Sequence, residues 1–255
     1  MHPILFHIGG SAVTSYGFML LIAFITGTII VVHLLDKRGV SSSSVYLLAA
    51  ALTLASLFGA RLFYLLGHLN EFTWASLFDL NTRGMVFYGG LLVAIPVGIV
   101  VVRKWKVPTG VVANATALAL FPAIAIARVG CFLNGCCYGK PSGLPWAVSF
   151  PGTGPVHPTQ IYELILDILA FALILVLSRY LDREWDLFLV ALAVYGAIRF
   201  AMEFLRAHDA SGAGIFFQLL SLAIVAVSLG ILFYRRRAAT RRLPPGEEGL
   251  SGDGA

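Results

Sequence analysis

Seven apolar stretches, each about 17–23 residues long, run along the chain and are separated by shorter polar segments. An α-helix needs about 20 residues to cross the hydrocarbon core of a bilayer. The stretches lie at 16–35, 45–66, 86–102, 110–127, 159–181, 187–204 and 215–234. The pattern predicts an all-α integral membrane protein with seven transmembrane helices in a single domain, residues 1–242.

Several of these stretches contain ionisable residues, which lie toward one end of the stretch. They are Arg61, Glu163, Asp167, Arg199 and Glu203. An ionisable side chain at membrane depth costs about 2.5–3.5 kcal/mol on insertion scales, so it needs a partner or a function. A transport pathway would also need polar residues at the midplane or in the opposite leaflet. The shared depth instead predicts one site, built by several helices near one membrane surface.

Basic residues flank the stretches unequally. Twelve of the 18 Lys and Arg residues fall on one side, and the other side receives Arg83, Arg128, Lys140 and Arg206. Because basic loops stay in the cytoplasm, this bias predicts an external N-terminus, a cytoplasmic C-terminus and a site in the outer leaflet. The chain is 58% hydrophobic and 12% charged, so its net charge of +5 reflects topology and we expect no nucleic-acid partner. We predict that residues 243–255 form a disordered cytoplasmic tail.

The sixth stretch places charged residues on one helical face. Arg199 and Glu203 are four residues apart and Arg206 follows three later. A snorkelling arginine with a neighbouring counter-ion would explain an isolated pair. Arg61 and Arg128 reach a similar depth on other helices, which favours a shared anion site. Guanidinium groups suit bidentate recognition of phosphate, and in the outer leaflet that phosphate belongs to a phospholipid.

The longest external loop, residues 128–158, is rich in glycine and contains all three cysteines, Cys131, Cys136 and Cys137. Their C-x4-C-C spacing lacks the paired C-x2–4-C of common zinc sites. A disulfide from Cys131 to Cys136 or Cys137, or three inert thiols, ranks above a metal site, and a metal site above a nucleophile. His157 precedes Pro158 at the start of the fifth helix, either as an interfacial cap or near a bound anion.

Several strings of the sequence carry a family resemblance. They are HPILFHIGG with SYGFMLLIAF, GARLFYLL, MVFYGGLLVAI, ARVGCFLNGCCYG, HPTQIYE, YGAIRFAMEFLR and IFFQLLSL, in this order between residues 2 and 234. The chain resembles the bacterial phosphatidylglycerol–prolipoprotein diacylglyceryl transferases. The strings HPTQIYE and ARVGCFLNGCCYG are the most specific of the set.

The resemblance implies an enzyme of the bacterial inner membrane that works from the outer leaflet. Its partners are phosphatidylglycerol, other membrane lipids and prolipoprotein signal peptides. It transfers a diacylglyceryl group to the lipobox cysteine thiol, makes a thioether and releases glycerol phosphate. No metal or organic cofactor is implied, and we expect a monomer.

The resemblance also assigns roles to residues of this chain. Arg128 and Arg199 match the family's essential arginines and would stabilise the departing phosphate, where charge develops. Tyr88 stands where the family has a histidine proposed as a base. The residues expected to bind or support the lipid are Arg61, Tyr16, Asn134, Gly139, His157, Gln160, Glu203 and Arg206.

Two departures from the family pattern bear on the reaction. A tyrosine with an ordinary pKa near 10 is a poor proton acceptor at neutral pH, so Tyr88 would donate to the phosphate instead. Cys131 and Cys136 stand where the family's signature has an amide and a carboxylate. The alternatives are therefore a paralogue with another acceptor, or a non-catalytic protein that binds a lipid or an anion.

Overall fold

The computed structural model describes residues 1–9, 11–78, 86–207 and 213–240. Within them the chain is almost entirely helical. The long helices are α1 (Ser15–Asp36), α2 (Ser42–Gly67), α3 (Phe87–Lys104), α4 (Thr109–Asn134), α5 (Thr159–Leu177), α6 (Asp186–Glu203) and α7 (Ala213–Thr240). Each of the seven predicted stretches corresponds to one of these helices, so the all-α prediction is confirmed.

Five of the helices are long and apolar enough to cross a membrane: α1, α2, α4, α5 and α7. Helix α6 is 18 residues long but contains Asp186, Arg199 and Glu203. Helix α3 is equally short and ends in Arg103 and Lys104. The described structure thus supports a multi-pass membrane protein. The two further crossings that the sequence predicts, at α3 and α6, stay a prediction.

The main correction to the predicted boundaries concerns α4, which continues to Asn134 rather than ending at 127. Gly135 ends it by adopting a left-handed conformation (φ 72°), and the Cys136 amide donates back to the Cys131 carbonyl over 3.1 Å. The left-handed region is favourable for glycine, which makes it a common helix terminator. Arg128 and Cys131 therefore lie on a helix, and the prediction that placed them in the loop is wrong.

The helices pack against one another through small and apolar residues. Helix α1 packs mainly on α4, α2 on α3 and α6 on α7, while α5 lies between α4 and α6. A buried cluster joins these middle helices and includes Phe121, Ile174, Leu187 and Ala191. Many large apolar side chains elsewhere on the helices are exposed, such as Leu54 at 69%. An exposed apolar surface of this kind suits contact with lipid.

Two short hairpins that the apolar pattern did not predict flank the helices. Strand β1 (Ile4–Ile8) pairs antiparallel with β2 (Ser11–Thr14), directly before α1. Strand β3 (Val148–Ser149) pairs with β4 (Pro155–Val156) in the connection between α4 and α5. Strands of two to five residues carry too little periodicity to be recognised in a sequence.

The two ends of the helix bundle differ in their polar contacts. At one end, buried Asp186 lies 3.4 Å from an Nη2 atom of Arg236, and Asn114 accepts from the amide of Phe188. The opposite end contains the arginine cluster described below. Arg83, Arg241, Arg242 and the predicted tail 243–255 lie outside the described residues.

Candidate functional site

A buried carboxylate on α5, that of Glu163, lies at the centre of the polar cluster. Arg128 of α4 forms an ion pair with its Oε2 atom. Arg206 donates to its Oε1 atom from Nη2 over 2.8 Å, and Nη1 of Arg199 lies 3.8 Å from the same oxygen. Three guanidinium groups from different parts of the chain thus meet at one acid.

A second buried acid, Glu203, accompanies this centre. Its Oε2 atom lies 3.0 Å from Nη2 of Arg199, one helical turn earlier on α6. The side chains of Arg128, Arg199 and Arg206 are 16–17% exposed, whereas those of both acids are 4% exposed or less. The guanidinium groups therefore form the accessible side of the cluster and the carboxylates its buried side.

The helix ends explain how distant residues meet. Glu163 is the fifth residue of α5, Arg128 is six residues from the end of α4, and Arg199 is four from the end of α6. Because α5 begins where α4 and α6 end, all three side chains have a similar depth. The α4 extension beyond residue 127 is what brings Arg128 into this layer.

Two side chains at the start of α5 hold the first residues of the α4–α5 connection. Thr159 donates to the Cys137 carbonyl over 2.7 Å, and the Nε2 atom of Gln160 donates to the Cys136 carbonyl over 2.6 Å. Gln160 is 1% exposed, and its Oε1 atom has no hydrogen-bond partner among the described residues. Gln160 is placed one turn before Glu163, so it supports the backbone next to the arginine cluster.

Gly139 allows this connection to approach the end of α6. The Gly139 backbone pairs with that of Arg206, and the Lys140 amide donates to the Leu205 carbonyl over 2.8 Å. A Cβ atom at position 139 would lie 2.5 Å from the Leu205 carbonyl oxygen. Only glycine fits such a close backbone approach, which positions Arg206 toward Glu163.

Tyr88 lies in the first turn of α3 and stacks on Phe217 of α7, with ring centroids 6.4 Å apart. Arg199 lies on Phe217 as well, with its Cζ atom 5.7 Å from the ring centroid. Phe217 therefore links Tyr88 to the arginine cluster. The following Gly89 fits against α2, because a Cβ there would lie 2.4 Å from the Cβ of Phe63.

The described contacts of Arg61 differ from those of the other arginines. Its Nε atom donates to the Ser76 carbonyl over 2.8 Å, and its guanidinium lies over the ring of Tyr64. Ser76 belongs to a short 3-10 turn, Ala75–Phe78, after α2. In these contacts Arg61 holds the α2–α3 connection, and its predicted role in lipid binding stays a prediction.

Tyr16 and Asn134 lie near the cysteines. The electrostatic neighbours of the Tyr16 hydroxyl are Arg128 and the three thiols, and Tyr16 is 40% exposed. Asn134 is the last residue of α4, and its side chain is a neighbour of the Cys136 thiol. Hydrogen bonding from Cys131, then from Cys137 and Asn134, lowers the pKa of the Cys136 thiol. All three cysteines are free thiols in the structure.

His157 has neighbours outside the arginine cluster. Its Nδ1 atom lies 3.4 Å from the hydroxyl of Tyr162, which also accepts from the indole N–H of Trp146 over 2.8 Å. Its carbonyl accepts from the Gly139 amide over 2.9 Å. These contacts favour a supporting role at the start of α5, close to the interpretation of His157 as a cap.

Sequence reasoning did not include Glu163 or Phe217 among the site residues. Glu163 was recognised as an acid in an apolar stretch, and the surplus of arginines at its depth was the signal that it serves as their common partner. Asp167 lies one turn deeper, is 2% exposed, and its Oδ2 atom has no partner among the described residues. Phe217 carries no signal of its own, because aromatic residues in apolar helices are common.

A set of long apolar helices with a layer of arginines on buried acids defines a multi-pass membrane protein with a charged cluster at one end of its helices. The sequence model of the family described as Prolipoprotein diacylglyceryl transferase matches residues 3–234. The chain therefore belongs to this family, and the resemblance found in its motifs is confirmed.

Three bacterial relatives are each named phosphatidylglycerol–prolipoprotein diacylglyceryl transferase. The Geobacter sulfurreducens protein is 32% identical over 251 residues, which cover 92% of this chain and 96% of the relative. The Clostridium tetani protein is 29% identical, with 92% and 97% covered. The Vibrio cholerae protein is 32% identical, with 90% and 89% covered. The similarity thus extends over nearly the whole of each protein.

Proposed function

We propose that this protein transfers the diacylglyceryl group of phosphatidylglycerol to the lipobox cysteine thiol of prolipoproteins and releases glycerol phosphate. This is the first step of lipoprotein maturation. Membership of the family and the names of the relatives support the reaction. The observation that carries the proposal is the convergence of Arg128, Arg199 and Arg206 on Glu163.

The charges of the cluster suit a lipid phosphate. Three guanidinium groups face two paired carboxylates, those of Glu163 and Glu203. The Nε atom of Arg128 is a buried donor without a partner among the described residues. A phosphate that entered from the accessible side would meet several N–H donors and an excess of positive charge. Glu163 holds the guanidinium groups in place before the lipid arrives, which reduces the reorganisation needed in the transition state.

The chemistry needs a sulfur nucleophile and a stabilised leaving group. The thiolate of the acceptor attacks the glycerol carbon that carries the phosphate, the C–O bond breaks, and the oxygen leaves with glycerol phosphate. Arg128 and Arg199 donate to the phosphate oxygens as charge develops on them. Tyr88 donates from its hydroxyl to the same phosphate, and Phe217 holds its ring beside Arg199.

The remaining residues hold the lipid or the backbone around it. Tyr16 and Arg61 line the approach to the phosphate, and Arg206 and Glu203 balance the charge of the cluster. Gly139 and Gln160 fix the α4–α5 connection, with Asn134 at the end of α4 and His157 at the start of α5.

We place the enzyme as a monomer in the bacterial inner membrane, with seven crossings and the arginine cluster on the outer-leaflet side. The distribution of basic flanking residues supports this orientation. A site at this depth is within reach of a lipid headgroup and of a signal peptide as it leaves the membrane. The cytoplasmic end would then contain Asp186 and Arg236.

A mass assay tests the proposal. Purified protein is mixed with phosphatidylglycerol vesicles and a synthetic lipobox peptide, and a peptide with Ser in place of the acceptor Cys serves as the control. We expect a diacylglyceryl adduct on the thiol peptide alone, together with released glycerol phosphate. Folded protein that binds the lipid but forms no adduct would contradict the proposed reaction and favour another acceptor.

A further inference from the structure

Three cysteine sulfurs lie together where α4 ends. The Sγ atoms of Cys131, Cys136 and Cys137 are all within 4.8 Å of one another, and those of Cys136 and Cys137 are 3.7 Å apart. Cys131 is buried, Cys136 is half-buried and Cys137 is exposed. The group therefore has a closed side toward the helices and an accessible side at Cys137.

These distances suit three ligands of one metal ion. A Zn–S bond is about 2.3 Å long, so two sulfurs of a tetrahedral site are separated by about 3.8 Å. The turn after α4 achieves this arrangement: Gly135 is left-handed and Cys137 is a rare non-glycine residue with positive φ (66°). The C-x4-C-C spacing did not predict a metal site, because the fold and not a C-x2-C loop brings the sulfurs together.

The cysteine cluster directly adjoins the arginine cluster. Cys131 follows Arg128 by one helical turn on α4. The carbonyl of Cys136 accepts from Gln160, which is one turn before Glu163 on α5. The Tyr16 hydroxyl has both Arg128 and the three thiols as electrostatic neighbours. A ligand on the cysteine sulfurs would therefore lie next to the group that binds the phosphate.

We propose that Cys131, Cys136 and Cys137 bind one Zn²⁺ ion and that its fourth position takes the acceptor thiol. Catalytic zinc sites have three protein ligands and one open position. A thiol that coordinates zinc loses its proton, and the thiolate is the reactive form of sulfur. The inference rests on the proposed function. It supplies the thiolate that Tyr88, as a poor proton acceptor, does not.

The step balances without a redox partner. The acceptor thiol releases its proton to water when its sulfur binds Zn²⁺. The sulfur then attacks the glycerol carbon, a C–S bond forms, and the C–O bond to the phosphate breaks. The electron pair leaves with the glycerol phosphate oxygen, beside the guanidinium groups. The thioether that forms is neutral and a weaker ligand than a thiolate, so it leaves the ion.

Metal binding is tested first, without reference to activity. Purified full-length protein in detergent is stripped with EDTA, kept reduced with a phosphine, and titrated with Cd²⁺ as a probe for Zn²⁺. We expect thiolate-to-metal charge-transfer absorption that saturates at one ion per chain. Cys131→Ser, Cys136→Ser and Cys137→Ser should each weaken binding by more than about tenfold. The exposed Ser149→Ala in the same connection is the matched control and should bind as the parent does.

The result that would overturn the metal site is also definite. Protein with three reduced thiols that gives no charge-transfer absorption on adding Cd²⁺ would overturn the metal site. Absorption that persists unchanged in the three serine variants would also overturn it. A disulfide among these cysteines that survives the reductant and excludes Cd²⁺ would likewise overturn it and indicate a structural bridge.

The open position is tested with the lipobox peptide. Adding the thiol peptide, but not its serine counterpart, to Cd²⁺-loaded protein without lipid should increase the charge-transfer absorption. In the mass assay, the stripped protein should transfer at least about tenfold more slowly than the Zn²⁺-loaded protein at pH 7. It should regain rate toward pH 8.5, where a free thiol ionises without help.

The outcomes separate the two proposals. Equal rates from stripped and loaded protein, with no spectral change on adding the peptide, would overturn the activating role of the ion. No adduct from either form at any pH would contradict the proposed reaction. The Cd²⁺ titration and the peptide-dependent absorption would still decide the metal site and its open position.

Discussion

Arg206 lies three residues beyond the end of α6, yet its Nη2 atom donates to Glu163 of α5 over 2.8 Å. The Nε atom of the same guanidinium lies 3.3 Å from the same carboxylate oxygen. This contact joins the end of one helix to the start of another. Because Arg128 and Arg199 approach the same acid, one carboxylate organises four segments of the chain.

Replacing Glu163 with glutamine should therefore affect both stability and activity. Glu163→Gln keeps the side-chain volume but leaves three guanidinium groups close together without their shared acid. Breaking a buried ion pair costs about 3–5 kcal/mol, so we expect unfolding in detergent at a clearly lower denaturant concentration, with transfer lost. Glu184→Gln, at an exposed position, is the control. A variant as stable and active as the parent would show that the acid does not organise the site.

The two arginines nearest the reaction should not tolerate lysine. Arg128→Lys and Arg199→Lys keep the positive charge but lose the bidentate donor geometry. Removing one donor to a developing oxyanion typically costs 10²–10³-fold in rate, and we expect losses of about this size in the mass assay. Alanine at either position should abolish transfer while the protein stays folded. Arg179→Lys, an exposed residue, should behave as the parent. Normal turnover in folded lysine variants would exclude bidentate phosphate binding by these residues.

Tyr88 can be tested through its hydroxyl alone. Tyr88→Phe keeps the ring that stacks on Phe217, so any loss of rate reports the missing donor. We expect slower transfer with phenylalanine, and transfer equal to or faster than the parent with histidine, the residue that the family resemblance implies at this position. The measurement is the rate of adduct formation across pH 6–9. A phenylalanine variant with the parent's rate would show that the hydroxyl does not donate to the phosphate.

The sequence predicted the helices well because a membrane helix is a long, nearly uniform apolar run. It also predicted that Arg128 and Arg199 lie close together near one end of the helices, and in the structure both reach Glu163. The boundary of α4 was wrong because no strong helix breaker marks residue 127 and the Gly135 turn comes later. Glu163 is distinguished from the equally buried Asp167 and Glu203 by its ion pairs with all three arginines, which the sequence does not reveal.

Other features depend on tertiary contacts that a sequence does not reveal. Arg61 looked equivalent to Arg128, but its described partners are the Ser76 carbonyl and the Tyr64 ring. The approach of the three cysteine sulfurs requires the left-handed conformation of Gly135 and Cys137. Neither result could follow from spacing alone.

The orientation in the membrane can be tested by thiol labelling. Cys137 is exposed near the arginine cluster, and in a Cys131→Ser, Cys136→Ser variant it is the one remaining cysteine. We expect an impermeant maleimide to label it from outside intact spheroplasts. In a cysteine-free background, Asp182→Cys at the opposite end should react only after the membrane is disrupted. The reverse pattern would invert the predicted orientation.

The close approach at Gly139 gives a matched pair of glycine substitutions in one connection. A methyl group at Gly139 would collide with the Leu205 carbonyl, whereas one at Gly143 would have no heavy atom within 4 Å. We expect Gly139→Ala to destabilise the protein by about 1–3 kcal/mol, the usual cost of overpacking, and to slow transfer because Arg206 is displaced from Glu163. Gly143→Ala should be neutral or stabilising by about 0.4–1 kcal/mol. Unfolding midpoints and adduct rates of the two variants decide the matter. Equal behaviour of the pair would show that the connection can move away from α6 without disturbing the site.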